Sequence, residues 1–291
     1  MNFELWLYAV KRLAQTMDAA KLIFDNMPPT LKSDLLREYD EYNNPDKYKR
    51  KRPIIGIVSK PFEKKKGALW QNVGVDDEIR SMVSNCGGVP IAILPTMKQI
   101  KYNPKDTINY QVMSQEETDD INKVLKLCEG FILQGGMSSN GYEIYVAKYA
   151  LKNDIPMLGI CSGFNNILRA LGADVEVIDK LLDAHCVYDT EYRHEIELFG
   201  KFRKLFKADS LEVNSVHSYF AQLGDREIKQ LPIEILAKKT DIDDEGNAFD
   251  TIEAFAAKNR RFVVAVKWHP EIMSLEHQNI LMNEFIARTG T

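Results

Sequence analysis

Cysteine is scarce in this sequence. Its 291 residues hold four, Cys86, Cys128, Cys161 and Cys186, and no two form a Cys-x-x-Cys pair. That spacing argues against a disulfide framework, a zinc knuckle or a dithiol redox motif. The five histidines are scattered, with no His-Glu-x-x-His, so no metal site is expected. Neither Gly-x-Gly-x-x-Gly nor a P-loop pattern occurs, and no cofactor is expected. No apolar run approaches the roughly 18 residues of a membrane span. No strong charge of one sign is present: 38 Lys and Arg against 42 Asp and Glu give a net charge of −4. Nucleic acid is therefore not expected as a partner. There is no internal repeat and no signal-like start, so reduced thiols in the cytoplasm are the expectation.

What is present supports a real core. At 45% hydrophobic and 27% charged residues, the chain can build one large or two modest domains. Residues 1–50 read as separate. Leu5, Leu7, Val10, Leu13, Met17, Ala20, Leu22 and Ile23 recur at helical spacing until Pro28-Pro29, and a second helix starts near Thr30. A helical hairpin packed on the main domain is the first reading. A dimer or partner surface, or a cover over the active site, is the second. The basic stretch from Lys47 to Arg52 reads as a linker, and Lys64 to Lys66 as an exposed loop.

From Pro53 the pattern alternates. Strands are expected at 54–58, 89–94, 130–136 and just before Cys161, with helices at 76–85, 116–128, 142–152 and 163–171. Short, nearly continuous apolar strands between helices belong to parallel sheets covered on both faces. After Gly172 the spacing changes to short strands near 175–178, 193–199, 211–216, 233–238, 251–255 and 260–268. Residues 241–250 read as an acidic loop, and a last helix covers 275–289. The expected architecture is a three-layer αβα fold with a mostly parallel sheet and a small antiparallel extension, in a catalytic domain over 51–291.

Three features fall at predicted C-terminal ends of strands, where open α/β sheets form their sites. They are Gly135-Gly136, the Gly159-x-Cys161-x-Gly163 turn, and His269-Pro270-Glu271. A cysteine at a strand-to-helix bend is exposed for attack. It needs a base, and the base needs an orienting carboxylate. Cys161, His269 and Glu271 supply those three residue types. Cys86, Cys128 and Cys186 read as core or incidental, and His194 and His277 as solvated.

Gly159-Ile-Cys161-Ser-Gly163 with Trp268-His269-Pro270-Glu271 resembles the class I glutamine amidotransferases, whose fold is flavodoxin-like. Their stand-alone relatives, the γ-glutamyl-γ-aminobutyrate hydrolase-like enzymes of peptidase family C26, are the nearer likeness. Pro53-Ile-Ile-Gly-Ile, Cys86-Gly-Gly-Val-Pro-Ile, Phe131-Ile-Leu-Gln-Gly-Gly136 and Asn214-Ser-Val-His217 carry the rest of the resemblance. It implies a γ-glutamyl amide hydrolase. Cys161 would attack the γ-carbonyl, His269 would shuttle the proton and Glu271 would orient His269. Backbone N–H groups at Gly136, Met137 and Ser162 would hold the oxyanion. Gly135, Asn165, His185, Ser215, Val216 and His217 would contact a small γ-glutamyl substrate, and Glu143 would stand behind the site or cap the oxyanion loop.

The departures bear on the leaving group. Where the family often has Cys-Arg-Gly-x-Gln, this chain has Cys161-Ser162-Gly163-Phe164-Asn165. The loop after Gly136 is short, and His217-Ser218-Tyr219 replaces His-His-Gln. Two alternatives stand beside the hydrolase. One is a glutaminase subunit that delivers ammonia to a separate synthetase, with residues 1–50 as a docking element or homodimer surface. The other is a non-catalytic binding protein of the same fold.

Overall fold

The computed structural model describes residues 52–62, 72–98, 100, 111–136, 139–173, 175–177, 192–217, 219–221, 226–242 and 246–290. All lie in the compact unit Arg52–Thr291. The hairpin expected over 1–50 and the loop at Lys64 to Lys66 lie outside the described residues.

The first half is a run of crossovers. Strand β1 (Ile54–Val58) is followed by the short pair β2 (Lys60–Pro61) and β3 (Val73–Gly74), then helix α1 (Asp77–Asn85). Strand β4 (Val89–Ile93), helix α2 (Gln115–Leu125), strand β5 (Gly130–Leu133) and helix α3 (Gly141–Asn153) follow. Strand β6 (Met157–Ile160) and helix α4 (Ser162–Ala170) close this half. The strands Ile-Ile-Gly-Ile-Val, Gly-Phe-Ile-Leu and Met-Leu-Gly-Ile are apolar because helices cover both faces. α2 starts where its sequence says it should. Ser114 accepts from the Glu117 backbone, and the Glu117 carboxylate accepts from the Ser114 N–H at 2.8 Å.

The second half is mixed. It contains β7 (Glu176–Val177), β8 (His194–Leu198), helix α5 (Gly200–Phe206), β9 (Ser210–Val213), β10 (Tyr219–Phe220) and helix α6 (Arg226–Gln230). Then come β11 (Ile233–Ile242), β12 (Ala248–Ala257), β13 (Val263–Val266), a 3-10 turn at Pro270–Ile272 and helix α7 (Leu275–Arg288). The nine-stranded sheet runs β4-β1-β5-β6-β13-β12-β11-β8-β9. Strands from β4 to β13 in that order are parallel, and from β13 to β9 each pairing is antiparallel. β8 shows the change of environment: Ile196 and Leu198 are buried while Glu195 and Glu197 are exposed, as on a sheet wet on one face.

One face of the sheet packs on α2, α3 and α4 through Ile121, Val146, Phe164 and Ile167. The other packs on α1, α5 and α7 through Ile79, Met82, Phe202, Leu281 and Phe285. This is the three-layer αβα arrangement. Several boundaries differ from expectation. β11 and β12 are ten residues each and run into the segment read as an acidic loop at 241–250. Lys238 with Asp250, and Thr240 with Asp250, make cross-strand polar pairs that stabilise this polar end as a hairpin. β7 pairs with β10 in a separate two-stranded sheet. Helices α5 and α6 were not anticipated; at seven and five residues they are too short to show a clear period.

Candidate active site

The site is built at the C-terminal ends of β5, β6 and β13. β6 turns directly into α4, and Cys161 occupies the turn with φ 50° and ψ −102°. A non-glycine residue held there stores roughly 1–3 kcal/mol of backbone strain. Its N–H donates to Val266 O on β13 at 2.9 Å, which fixes the bend. Gly163 is required by contact: a Cβ there would lie 1.9 Å from Leu133 O on β5.

His269 leaves the end of β13. Its backbone is clamped by the Asn214 side chain, whose Nδ2 donates to His269 O at 2.8 Å and whose Oδ1 accepts from His269 N at 2.8 Å. Its Nδ1 is 2.6 Å from Glu271 Oε1. Gln278 Nε2 donates to Glu271 O and Met273 O at 3.1 and 2.9 Å and holds the turn that carries the carboxylate. With Nδ1 engaged by Glu271, the other ring nitrogen is left for Cys161, and the imidazole acts on the thiol electrostatically. Gly135 packs on the imidazole: a Cβ there would lie 2.5 Å from His269 Cε1.

The electrostatics are those of a coupled pair. Burial pushes the Cys161 thiol up, but the charge and hydrogen bond of His269, and then the charge of Lys267, outweigh it, and the thiol lies below its ordinary value. Burial likewise pushes His269 down. Glu271 and Cys161 outweigh that and hold the imidazolium well above its usual range. Together they favour thiolate beside imidazolium.

The glycine-rich end of β5 is anchored by Gln134. Its Nε2 donates to Val58 O and Gly74 O at 3.1 and 2.9 Å, and its Oε1 accepts from Asp76 N at 3.0 Å. Gly136 has φ 139°. Beside it runs Lys60, 3% exposed, whose Nζ lies 2.6 Å from Glu143 Oε1 and donates to Ser162 Oγ at 2.8 Å. Glu143 also accepts from Asn140 N at 2.8 Å, Asn140 Nδ2 at 3.0 Å and Asn166 Nδ2 at 3.1 Å.

Cys161, His269, Glu271, Gly135 and Val216 are brought together; Val216 O is 3.7 Å from Cys161 Sγ. Gly136, Ser162 and Glu143 are joined by Lys60. Asn165 is buried at the start of α4 and accepts from Lys267 Nζ at 2.8 Å. Ser215 is buried, and His217 Nε2 lies 3.5 Å from the buried Glu253 Oε1. Met137 and His185 lie outside the described residues, as does Cys186.

Two histidines read as solvated are buried. His194 packs beside Glu253 on the inner face of β8. His277 accepts from Trp268 Nε1 at 3.0 Å and lies against the Phe206 ring, and burial pushes it down to about 4. Both had a local signal: His194 alternates onto the face of Ile196 and Leu198, and His277 shares a helix face with Leu281 and Phe285. Burial also pushes the Cys128 thiol up to about 12, which fits a core cysteine. Lys60, Lys267 and the clamping role of Asn214 were missed. Lys267 had a signal, a charge inside the apolar run 263–268; Lys60 had none. Among the described residues no helix is long and apolar enough to cross a membrane, and no cluster of His, Cys, Asp or Glu could hold a metal ion.

A family model described as glutamine amidotransferase class-I matches residues 97–288. A CTP synthase of Lactiplantibacillus plantarum is 24% identical over 208 residues, covering 63% of this chain and 38% of that protein. The chain spans less than half the length of the first curated CTP synthases it matches. The glutaminase domain of Trypanosoma brucei CTPS, solved with bound acivicin, aligns with a TM-score of 0.54 at 17% identity, over 81% of this chain and 93% of that one. A Thermoplasma acidophilum protein, assigned as one of the subunits of a GMP synthase, aligns with a TM-score of 0.50 at 13% identity, over 82% and 95%. These likenesses match the flavodoxin-like αβα architecture. These relatives are named for CTP and GMP synthases, and the nearer likeness to peptidase family C26 is not what they show.

Proposed function

The chain belongs to the glutamine amidotransferase class-I family, and from that premise we propose that it is a cysteine glutaminase that supplies ammonia to a separate synthase. The observation that carries this reading is Cys161 on its strained elbow, its thiol lowered by a His269 that Glu271 holds at 2.6 Å. Residues 51–291 form the catalytic domain, and residues 1–50 are the element through which a partner or second copy docks.

In this mechanism the Cys161 thiolate attacks the γ-carbonyl carbon of glutamine. The carbonyl electron pair moves onto oxygen, facing the backbone N–H groups of Gly136, Met137 and Ser162. One such donor is worth about 10²–10³ in rate. His269 gives its proton to the departing nitrogen, and ammonia leaves a γ-glutamyl thioester. Water then attacks the thioester while His269 takes its proton. The thiolate departs and glutamate is released.

The test is glutamate and ammonia release from glutamine, together with covalent labelling by acivicin. C161A is expected to abolish both while keeping the fold by circular dichroism. Full activity in C161A would sink the mechanism. A second reading is a stand-alone hydrolase of another γ-glutamyl amide, the peptidase C26 kind. What favours it is that Asn165, buried with its carbonyl bonded to Lys267, stands where the resembled enzymes often have glutamine. Glutamate release from γ-glutamyl amines but not from glutamine would decide for it.

A further inference from the structure

We propose that Lys60 is the positioning residue of the oxyanion site: its stem seats the Gly136 segment, and its ammonium ties that segment to Ser162 on the nucleophile elbow. The inference rests on the glutaminase reading and assigns a role to a residue outside the triad.

The topology puts Lys60 where it can do this. β1 and β5 are parallel neighbours with Val58 opposite Leu133. Carried two residues past both strand ends, that register brings Lys60 beside Gly135-Gly136. Ser59 fixes the exit, donating through N and Oγ to Ile93 O at 3.0 and 2.8 Å and accepting from Tyr142 Oη at 2.7 Å. The lysine stem then fills the space that a side chain on residue 136 would need. A Cβ on Gly136 would lie 2.5 Å from Lys60 Cδ. The stem therefore acts as a wall against which the glycine backbone rests.

The ammonium reaches beyond β5 to the next strand's elbow. It donates to Ser162 Oγ at 2.8 Å and pairs with Glu143 at 2.6 Å. Glu143 is itself tied to Asn140 at the start of α3 and to Asn166 on α4. One side chain thus touches both segments whose N–H groups face the oxyanion, and a buried carboxylate fixes its position. Two donors on different strands are useful only at one spacing. Lys60 is the covalent reach across that gap.

The experiment compares two reactions of the same thiol. Glutamine hydrolysis builds an oxyanion; alkylation by iodoacetamide displaces iodide and builds none at this site. In Lys60→Met, kcat is expected to fall by about 10²-fold or more. KM and the alkylation rate should each change by less than about threefold, the size of an ordinary context effect. Ser162→Ala, which keeps its backbone N–H, should lose less than Lys60→Met. If Lys60→Met folds poorly, Lys60→Met with Glu143→Gln removes both buried charges and is expected to show the same split. Hydrolysis and alkylation falling together would mean only a general structural role and would overturn the proposal. So would a kcat within threefold of wild type. Wild-type protein that releases glutamate from no γ-glutamyl amide would instead refute the glutaminase reading, and with it this role.

Discussion

The two sides of the Cys161 elbow each bury a lysine, in different company. Lys60, at 3% exposure, lies between a carboxylate on α3 and a serine on α4, the elements proposed to shape the oxyanion side. Lys267, at 1%, gives its ammonium to Asn165 Oδ1 and stands 4.9 Å from the centre of the Phe164 ring. Only Lys267 is among the charges that pull the Cys161 thiol down, after burial, which pushes it up, and His269. The contrast teaches that buried charge near a nucleophile can serve geometry or potential. A lysine locked in an ion pair spends its field on its partner and works as a brace. Lys267, beside Asn165 and the Phe164 ring, instead adds to the charges that lower the thiol.

The strongest way to break this comparison is through stability. Glu143→Gln leaves the Lys60 ammonium buried without its carboxylate and is expected to cost about 3–5 kcal/mol in urea unfolding. Lys267→Met removes the cation itself with little change of volume and should cost much less. Equal losses would show that the two lysines are braces alike.

A smaller effect sharpens what burial alone does. His277 has no role at the thiol, and its pKa is depressed to about 4 by burial. The unfolded chain takes up a proton near pH 6.5 while the native one does not, so stability is full above 6.5 and falls as pH drops toward 4. The expected loss is on the order of 3 kcal/mol over that window. His277→Gln keeps an acceptor for Trp268 and should flatten that part of the pH–stability curve. An unchanged slope would place the titration elsewhere.

The smallest effect is the most specific. Removing the Lys267 charge raises the Cys161 thiol, so the acid limb of iodoacetamide alkylation should move to higher pH by less than about one unit. Lys60→Met should leave that limb where it is. A matching shift in both variants would erase the distinction between brace and field.

Much of the site was legible in the chain. Gly159-x-Cys161-x-Gly163 reads as an elbow because a tight strand-to-helix turn leaves local marks: an apolar run and small flanking residues. His269-Pro270-Glu271 reads as a base with its acid because the partners are two residues apart. The parallel half of the sheet was readable for the same reason, since each strand is apolar on both faces. The lysines were not. Whether Lys60 is buried depends on β5 and α4, at 76 and 102 residues' separation from Val58 and Lys60 in the contacts with Gln134 and Ser162. No window around residue 60 contains that information. His194 and His277 failed differently: residue type was weighed above a period that puts them on the faces of Ile196 and Leu198 and of Leu281 and Phe285. The polar ends of β11 and β12 read as loop because their stability comes from pairing with each other.

The order of strands in the sheet has a consequence in time. β13 lies directly between β6, which carries Cys161, and β12, yet its residues follow Cys161 in the chain by about a hundred positions. A ribosome that has made the elbow has not yet made the strand beside it, nor the histidine and glutamate that follow. Until then the thiol has neither its imidazole nor the carbonyl of Val266 that fixes its bend. The parallel and antiparallel halves cannot be joined into one sheet before residues 263–266 arrive. Closure of the sheet and the meeting of Cys161 with His269 therefore both wait for the same late strand.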